Sequence, residues 1–244
     1  REDAYRDLRG SNDAQLVGEP ETAEGKFGDA LVLDGVDDYV EVTDDETLRL
    51  WDAHTLEAWI YVDELRPSRI LDKITAGSAD GPHLDLLATG ALRSCAAGPC
   101  AVSETGVAGE EWTHVAATYD AGVVTLYING EAAGSGESKS PLAGNRLPLR
   151  IGADSNGEGL FSGRVDEVRV YDRALSADEI AQNHDADKPL EKVDPDSTIK
   201  PYDEVITADA ETHEGVFTVH KVGRKWLYEI PEDELGRLFL WVTS

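Results

Sequence analysis

From residue 30 to about 172 the chain is written in short runs that alternate apolar and polar positions. Ala30-Leu-Val-Leu33 and Tyr39-Val-Glu-Val42 flank Asp34-Gly-Val-Asp-Asp38, and the segments 55–62 and 112–119 alternate strictly. Val123-Val-Thr-Leu-Tyr-Ile128 runs into Asn129-Gly130, the pair best suited to the two positive-φ positions of a type I′ hairpin turn. The segments 147–151 and 163–171 close the series. A period of two with frequent turn residues predicts strands with one buried face, and many of them predict an antiparallel sandwich. One helix interrupts the pattern. Ser176-Ala-Asp-Glu179 has the form of a capping box, which predicts a helix over 177–183.

Beyond the helix the pattern changes. Residues 185–200 are polar, hold Pro189 and Pro195, and read as an acidic linker. Three further strands are predicted at 215–220, 225–230 and 238–242, a small β module over 201–244. The domain plan is therefore a sandwich over 1–184, a linker over 185–200 and the small module.

Composition narrows the function. The chain has 244 residues, with 49 acidic against 22 basic and a net charge of −27. Such a surface repels nucleic acid and anionic lipid and attracts cations. No apolar run approaches the ~18 residues of a membrane span. There is no Met, even at position 1, so the natural N-terminus is expected to have been removed or to lie upstream. Cys95-Ala-Ala-Gly-Pro-Cys100 contains both cysteines. A local disulfide is expected in an exported protein, against the alternative of two free or buried thiols.

At Gly25-Lys-Phe-Gly-Asp-Ala-Leu-Val-Leu-Asp-Gly-Val-Asp-Asp-Tyr-Val40 the chain resembles the LamG-like jelly-roll family of the concanavalin A-like lectin/glucanase superfamily. Thr55-Leu-Glu-Ala-Trp-Ile60, the run 111–119, Leu126-Tyr-Ile-Asn-Gly130 and the run 163–176 keep the family's order across about 8–184. The resemblance implies an all-β, two-sheet antiparallel jelly roll, extracellular and often attached to hydrolases or adhesins. It also implies a first strand ahead of Leu8-Arg-Gly-Ser-Asn12 that is shortened or absent here. Segments 202–206, 215–220, 228–231 and 235–240 resemble the small N-terminal module of bacterial gluzincin-type zinc metallopeptidases, whose catalytic His-Glu-x-x-His does not occur in this chain.

Calcium is the expected cofactor. Asp34, Asp37 and Asp38 crowd one turn, and the family resemblance implies a structural site joining Asp34 and the Gly35 carbonyl to Asp166. The alternative is that Asp34 and Asp38 fix the turn by Asx-type bonds. No catalytic residue is expected. Glu57 has no acidic neighbour two positions away on its face, Asp166 and Glu167 are adjacent and should point to opposite faces, and His114 is read as structural. Trp59 and Trp112 fall at family core positions. Trp51 in a loop, with Asn156 and Glu158 in the turn 154–158, are the ligand-binding candidates.

These readings converge on a non-catalytic, secreted or surface-located recognition module for a glycan or cell-surface ligand, accessory to an exported hydrolase. The competing expectation is an assembly subunit that self-associates by strand exchange through its apolar segment 238–242.

Overall fold

The computed structural model describes residues 12–95, 100–137, 142–186, 211–213, 218–222 and 225–229. The chain divides into two compact units, Arg1–Pro189 and Leu190–Ser244.

The first unit is a sandwich of two antiparallel seven-stranded sheets. The strands are β1 (Ala14–Val17), β2 (Glu21–Glu24), β3 (Asp29–Asp34), β4 (Tyr39–Val42), β5 (Ala53–Val62), β6 (Ser68–Asp72) and β7 (His83–Leu86). There follow β8 (Ala91–Cys95), β9 (Cys100–Gly106), β10 (Trp112–Asp120), β11 (Val123–Ile128), β12 (Glu131–Glu137), β13 (Leu149–Ile151) and β14 (Ser162–Tyr171). The front sheet has the order β1-β4-β13-β6-β7-β8-β9, and the back sheet β12-β11-β10-β5-β14-β3-β2. Between them Leu33, Leu56, Ile60, Ile70, Leu84, Leu92, Val115, Leu126 and Phe161 form one hydrophobic core.

Alternation places these side chains. On β5, Leu56, Ala58, Ile60 and Val62 enter the core, so Glu57, Trp59 and Tyr61 point to the outside of the back sheet. Where the sandwich closes, Gly134 and Gly136 of β12 lie so near β9 that a Cβ would meet the Val102 carbonyl at 2.5 Å and the Ala101 nitrogen at 2.9 Å. The Asn129-Gly130 turn takes positive φ at both residues, 51° and 81°, and joins β11 to β12 as the dipeptide predicts.

Helix α1 (Ala177–Ala186) runs three residues past its predicted end. Its capping box forms: the Glu179 N–H donates to Ser176 Oγ (3.3 Å), and Glu179 Oε2 accepts the Ser176 N–H (2.9 Å). Arg173, with the Ser176 N–H and O–H that both donate to Glu179 Oε2, lowers the Glu179 carboxyl to about 2.

The second unit contains a three-stranded antiparallel sheet of β15 (Glu211–His213), β16 (Thr218–Val222) and β17 (Lys225–Glu229). Its third strand is thus 211–213, upstream of the two that periodicity located. The segments 238–242 and 187–200, and any strand ahead of residue 12, lie outside the described residues.

Candidate ligand-binding face

The three aspartates of the first turn do come together. Asp34, Asp37 and Asp38 each offer a carboxylate oxygen, all within 4.8 Å of one another. Asp34 Oδ1 accepts the Val36 N–H at 2.7 Å, and Asp38 accepts the N–H groups of Glu19 (2.9 Å) and Asp34 (3.3 Å). The Asx bonds of the alternative reading are therefore formed. Above all the Val36 bond, against slight desolvation, lowers the Asp34 carboxyl.

The rest of the expected cation set is engaged by other partners. The Gly35 carbonyl accepts a bond from Arg66 Nη2 at 2.5 Å. In the β14–β3 register Asp34 sits opposite Ser162, four residues from Asp166, or about 13 Å along a strand. Asp166 instead accepts the N–H groups of Phe27 (2.9 Å) and Glu167 (2.8 Å). Strand register separates the two halves of the implied ligand set.

Helix α1 covers the outside of the back sheet around Glu57, Trp59 and Ala116. Glu57, fully buried, accepts from Arg169 Nη1 at 2.9 Å and from Asn183 Nδ2 at 3.1 Å, and His114 Nε2 lies 3.8 Å from it. Burial opposes the charge of Glu57, but His114, Asn183 and Arg169 outweigh it and hold the carboxyl below its usual range. Trp59 is buried here, stacked on His184 with ring centroids 5.4 Å apart. It is packed under the helix instead of between the sheets. Trp112 is half-buried on the same outer side, edge-on to Tyr61 at 5.7 Å, so its expected core position is corrected: on β10 it alternates away from the core.

The outside of the front sheet is different. Register sets Glu41, Arg150, Asp72 and His83 side by side across β4, β13, β6 and β7. A second row sets Arg69, Asp85 and Arg93 across β6, β7 and β8. A bulge between Arg69 and Leu71 turns Arg69 and Asp72 to the same side. Asp85, 2% exposed, holds two guanidiniums: Arg69 through Nη1, and Arg93 through Nε (2.9 Å) and Nη2 (2.6 Å). Arg150 bonds Glu41 at 2.9 Å and the Asp154 carbonyl at 2.7 Å, and its guanidinium lies 4.8 Å from the Tyr39 ring. Arg93 keeps 39% of its side chain in solvent.

Two buried atoms of this face, Asp72 Oδ2 and His83 Nδ1, have no hydrogen-bond partner among the described residues. Burial raises the Asp72 carboxyl to about 7 against the pull of Arg69. Burial lowers His83, whose Nε2 accepts the Cys95 N–H at 3.1 Å. That bond assigns the ring proton to Nδ1. The Gly81 carbonyl favours the ring's charged form but does not reach hydrogen-bond geometry with it. Cys95 and Cys100 form the expected disulfide as a cross-strand pair of the β8–β9 hairpin, at the edge of this face.

The turn 154–158 borders the face. Asp154 Oδ1 accepts the N–H groups of Asn156 (2.8 Å) and Glu158 (2.9 Å), both exposed residues, and the Gly159 carbonyl accepts the Arg69 N–H. Asn156 and Glu158 are thus beside the charged rows. Trp51 is not: it packs against the core, with Gly144 against its ring. The rows themselves are not evident from the sequence. Their signal was the alternation of charge and leucine in His83-Leu-Asp-Leu86 and Ala91-Leu-Arg93, in strands too short and too polar to stand out.

Comparison with known proteins fixes the family. A family model described as the concanavalin A-like lectin/glucanases superfamily matches residues 34–181. The chain belongs to this superfamily. A second model, a domain of unknown function (DUF5118), matches residues 199–244. The binding domain of Paraclostridial Mosquitocidal Protein 1 is similar in fold, with a TM-score of 0.61 and 16% identity over 74% of this chain and 49% of that one. So is domain 4 of AbnA, an extracellular GH43 arabinanase from Geobacillus stearothermophilus solved with arabinotriose. It has a TM-score of 0.55 and 22% identity over 70% of this chain and 87% of that one. Adhesion G-protein coupled receptor V1 of Danio rerio is 27% identical over 78 residues, 31% of this chain and 1% of that protein. The chain thus spans about half of the toxin binding domain and a small fraction of the receptor. Among the described residues no helix is long and apolar enough to cross a membrane.

Proposed function

We propose that this chain is a non-catalytic extracellular recognition module that binds carbohydrate through the outer face of its front sheet. The observation that carries the reading is Asp85: one buried carboxylate fixes Arg69 and Arg93 in place while 39% of the Arg93 side chain stays in solvent. Guanidiniums anchored from below present preorganised donors to ligand hydroxyls, and little side-chain entropy remains to be lost on binding. Tyr39 adds a half-exposed ring, and Asn156 and Glu158 add polar groups at the rim. The arabinanase domain, solved with arabinotriose, supplies a probe. Titration of arabinotriose, alongside a glycan array, should give saturable binding that Arg93→Gln weakens at least tenfold. Binding unaffected by Arg93→Gln and Tyr39→Ala would move the site off this face.

Two finer assignments go with this reading. The segment 199–244 suggests, by its sequence resemblance alone, attachment to an exported metallopeptidase. A calcium ion on the Asp34/Asp37/Asp38 turn would supply charge compensation for three crowded carboxylates. At one hundred times its Kd an ion bound only by the native state adds about 2.7 kcal/mol. Excess chelator should then lower the melting temperature, and Asp37→Ala should remove that response. An identical melt with and without chelator rejects the ion.

A further inference from the structure

The charged rows of the front sheet do not balance. Four carboxylates (Glu41, Asp72, Asp85 and Asp154) face three guanidiniums (Arg69, Arg93 and Arg150). Glu41 is satisfied by Arg150, Asp85 by two arginines, and Asp154 by the amides of its own turn. The surplus falls on Asp72. It is 1% exposed, and among the described residues its Oδ1 accepts only the Ile74 N–H at 3.2 Å and its Oδ2 has no partner nearer than Arg69 Nε at 3.3 Å. Lys73, the next cation along the chain, is committed to Asp44 and the Leu147 carbonyl.

We infer that Asp72 is a proton-operated regulator of ligand binding on this face, competing with ligand oxygens for the guanidinium of Arg69. When Asp72 is neutral, Arg69 is shared only between Asp85 and the ligand. When it is ionised, a buried anion 3.3 Å from Nε draws Arg69 inward and a third carboxylate charge stands beside Asp85 and Asp154. Binding therefore strengthens as the solution becomes more acidic. The inference rests on the ligand-binding reading above.

The environment sets the window. Desolvation, assisted by Asp85 and Asp154 and opposed by Arg69, brings the Asp72 carboxyl to about 7. His83 is moved away from this window, because burial disfavours the charged form of its ring. A competent fraction of about 0.9 at pH 6 falls to about 0.1 at pH 8, so apparent affinity should fall about tenfold.

The test uses the full chain and arabinotriose as probe, titrated at pH 6 and pH 8, with carbon-13 NMR of the Asp72 carboxyl and nitrogen-15 NMR of Arg69 Nε. The expected result is about tenfold weaker binding at pH 8, a carboxyl midpoint near 7, and an Arg69 Nε shift with the same midpoint. Asp72→Asn should bind with the pH 6 affinity at both values, and its Arg69 signal should not titrate. An Asp72 midpoint below 5 overturns the inference, and so does an Arg69 signal that ignores the carboxyl. Equal affinity at both pH values overturns it while leaving the ligand reading intact. Failure to bind at either pH counts against the carbohydrate reading, and the NMR titration of the wild-type chain then decides the inference alone.

Discussion

The two outer faces of the sandwich carry similar chemistry and resolve it differently. On the back sheet a buried glutamate, Glu57, is closed over by α1 and bonded to Arg169 and Asn183. On the front sheet a buried aspartate, Asp72, lies beside Arg69, whose side chain is 15% exposed, and among the described residues lacks a hydrogen bond at Oδ2. The carboxyls respond in opposite directions, Glu57 lowered and Asp72 raised to about 7. Burial penalises both charges, so the difference lies in the partners: β14, β10 and α1 together supply them on one face, and the other is left short. A buried carboxylate with its bonds complete serves stability, as Glu57 does although neither ring nitrogen of the neighbouring His114 has a hydrogen-bond partner among the described residues, whereas one left short stores a preference for something added from outside.

The largest expected effect is on the sealed face. Glu57→Ala removes the buried carboxylate beneath Arg169, Asn183 and His114 and should destabilise the sandwich by about 3–5 kcal/mol, the cost of breaking a buried pair. Denaturant unfolding measures it, and a loss under 1 kcal/mol would remove the contrast between the faces.

Asp72→Asn should act in the opposite sense. An aspartate with a folded pKa near 7 and an ordinary value of 3.8 binds its proton more tightly when folded. Its contribution is therefore full below pH 4 and lost as pH rises to about 7. The asparagine chain has no such loss and should be more stable than wild type at pH 8, by about 3 kcal/mol at most given ~1.4 per pH unit and partial relaxation. The two melting curves should converge near pH 4. A variant less stable at pH 8 would show that the Asp72 charge is welcomed and not tolerated.

At the edge of the open face, Cys95→Ser frees the six-residue β8–β9 loop and should cost about 2 kcal/mol on the loop-entropy model, read as a lower melting temperature that reductant reproduces in wild type. The smallest effect belongs to the lid. Ser176→Ala removes one half of the capping box and should cost about 1 kcal/mol, seen as faster amide exchange in α1 before any change in the sheets.

The sandwich, the helix with its cap, the hairpin at Asn129-Gly130 and the disulfide were legible because each depends on residues close together in the chain. Period-two alternation names a buried face, a hydroxyl three residues before a glutamate names a helix start, and two cysteines five apart can reach each other across a hairpin. The crowding of Asp34, Asp37 and Asp38 was local in the same way. What tertiary structure alone decided depends on register and coverage. Pairing of β14 with β3 set Asp166 four residues from Asp34, and alternation on β10 turned Trp112 outward. A bulge in β6 brought Arg69 and Asp72 onto one side. Whether a carboxylate on an outer face is completed, as Glu57 is, or left wanting, as Asp72 is, follows from which strands are neighbours and where α1 lies. A linear pattern specifies the side of a sheet that a residue faces, but not the strand beside it or the element above it.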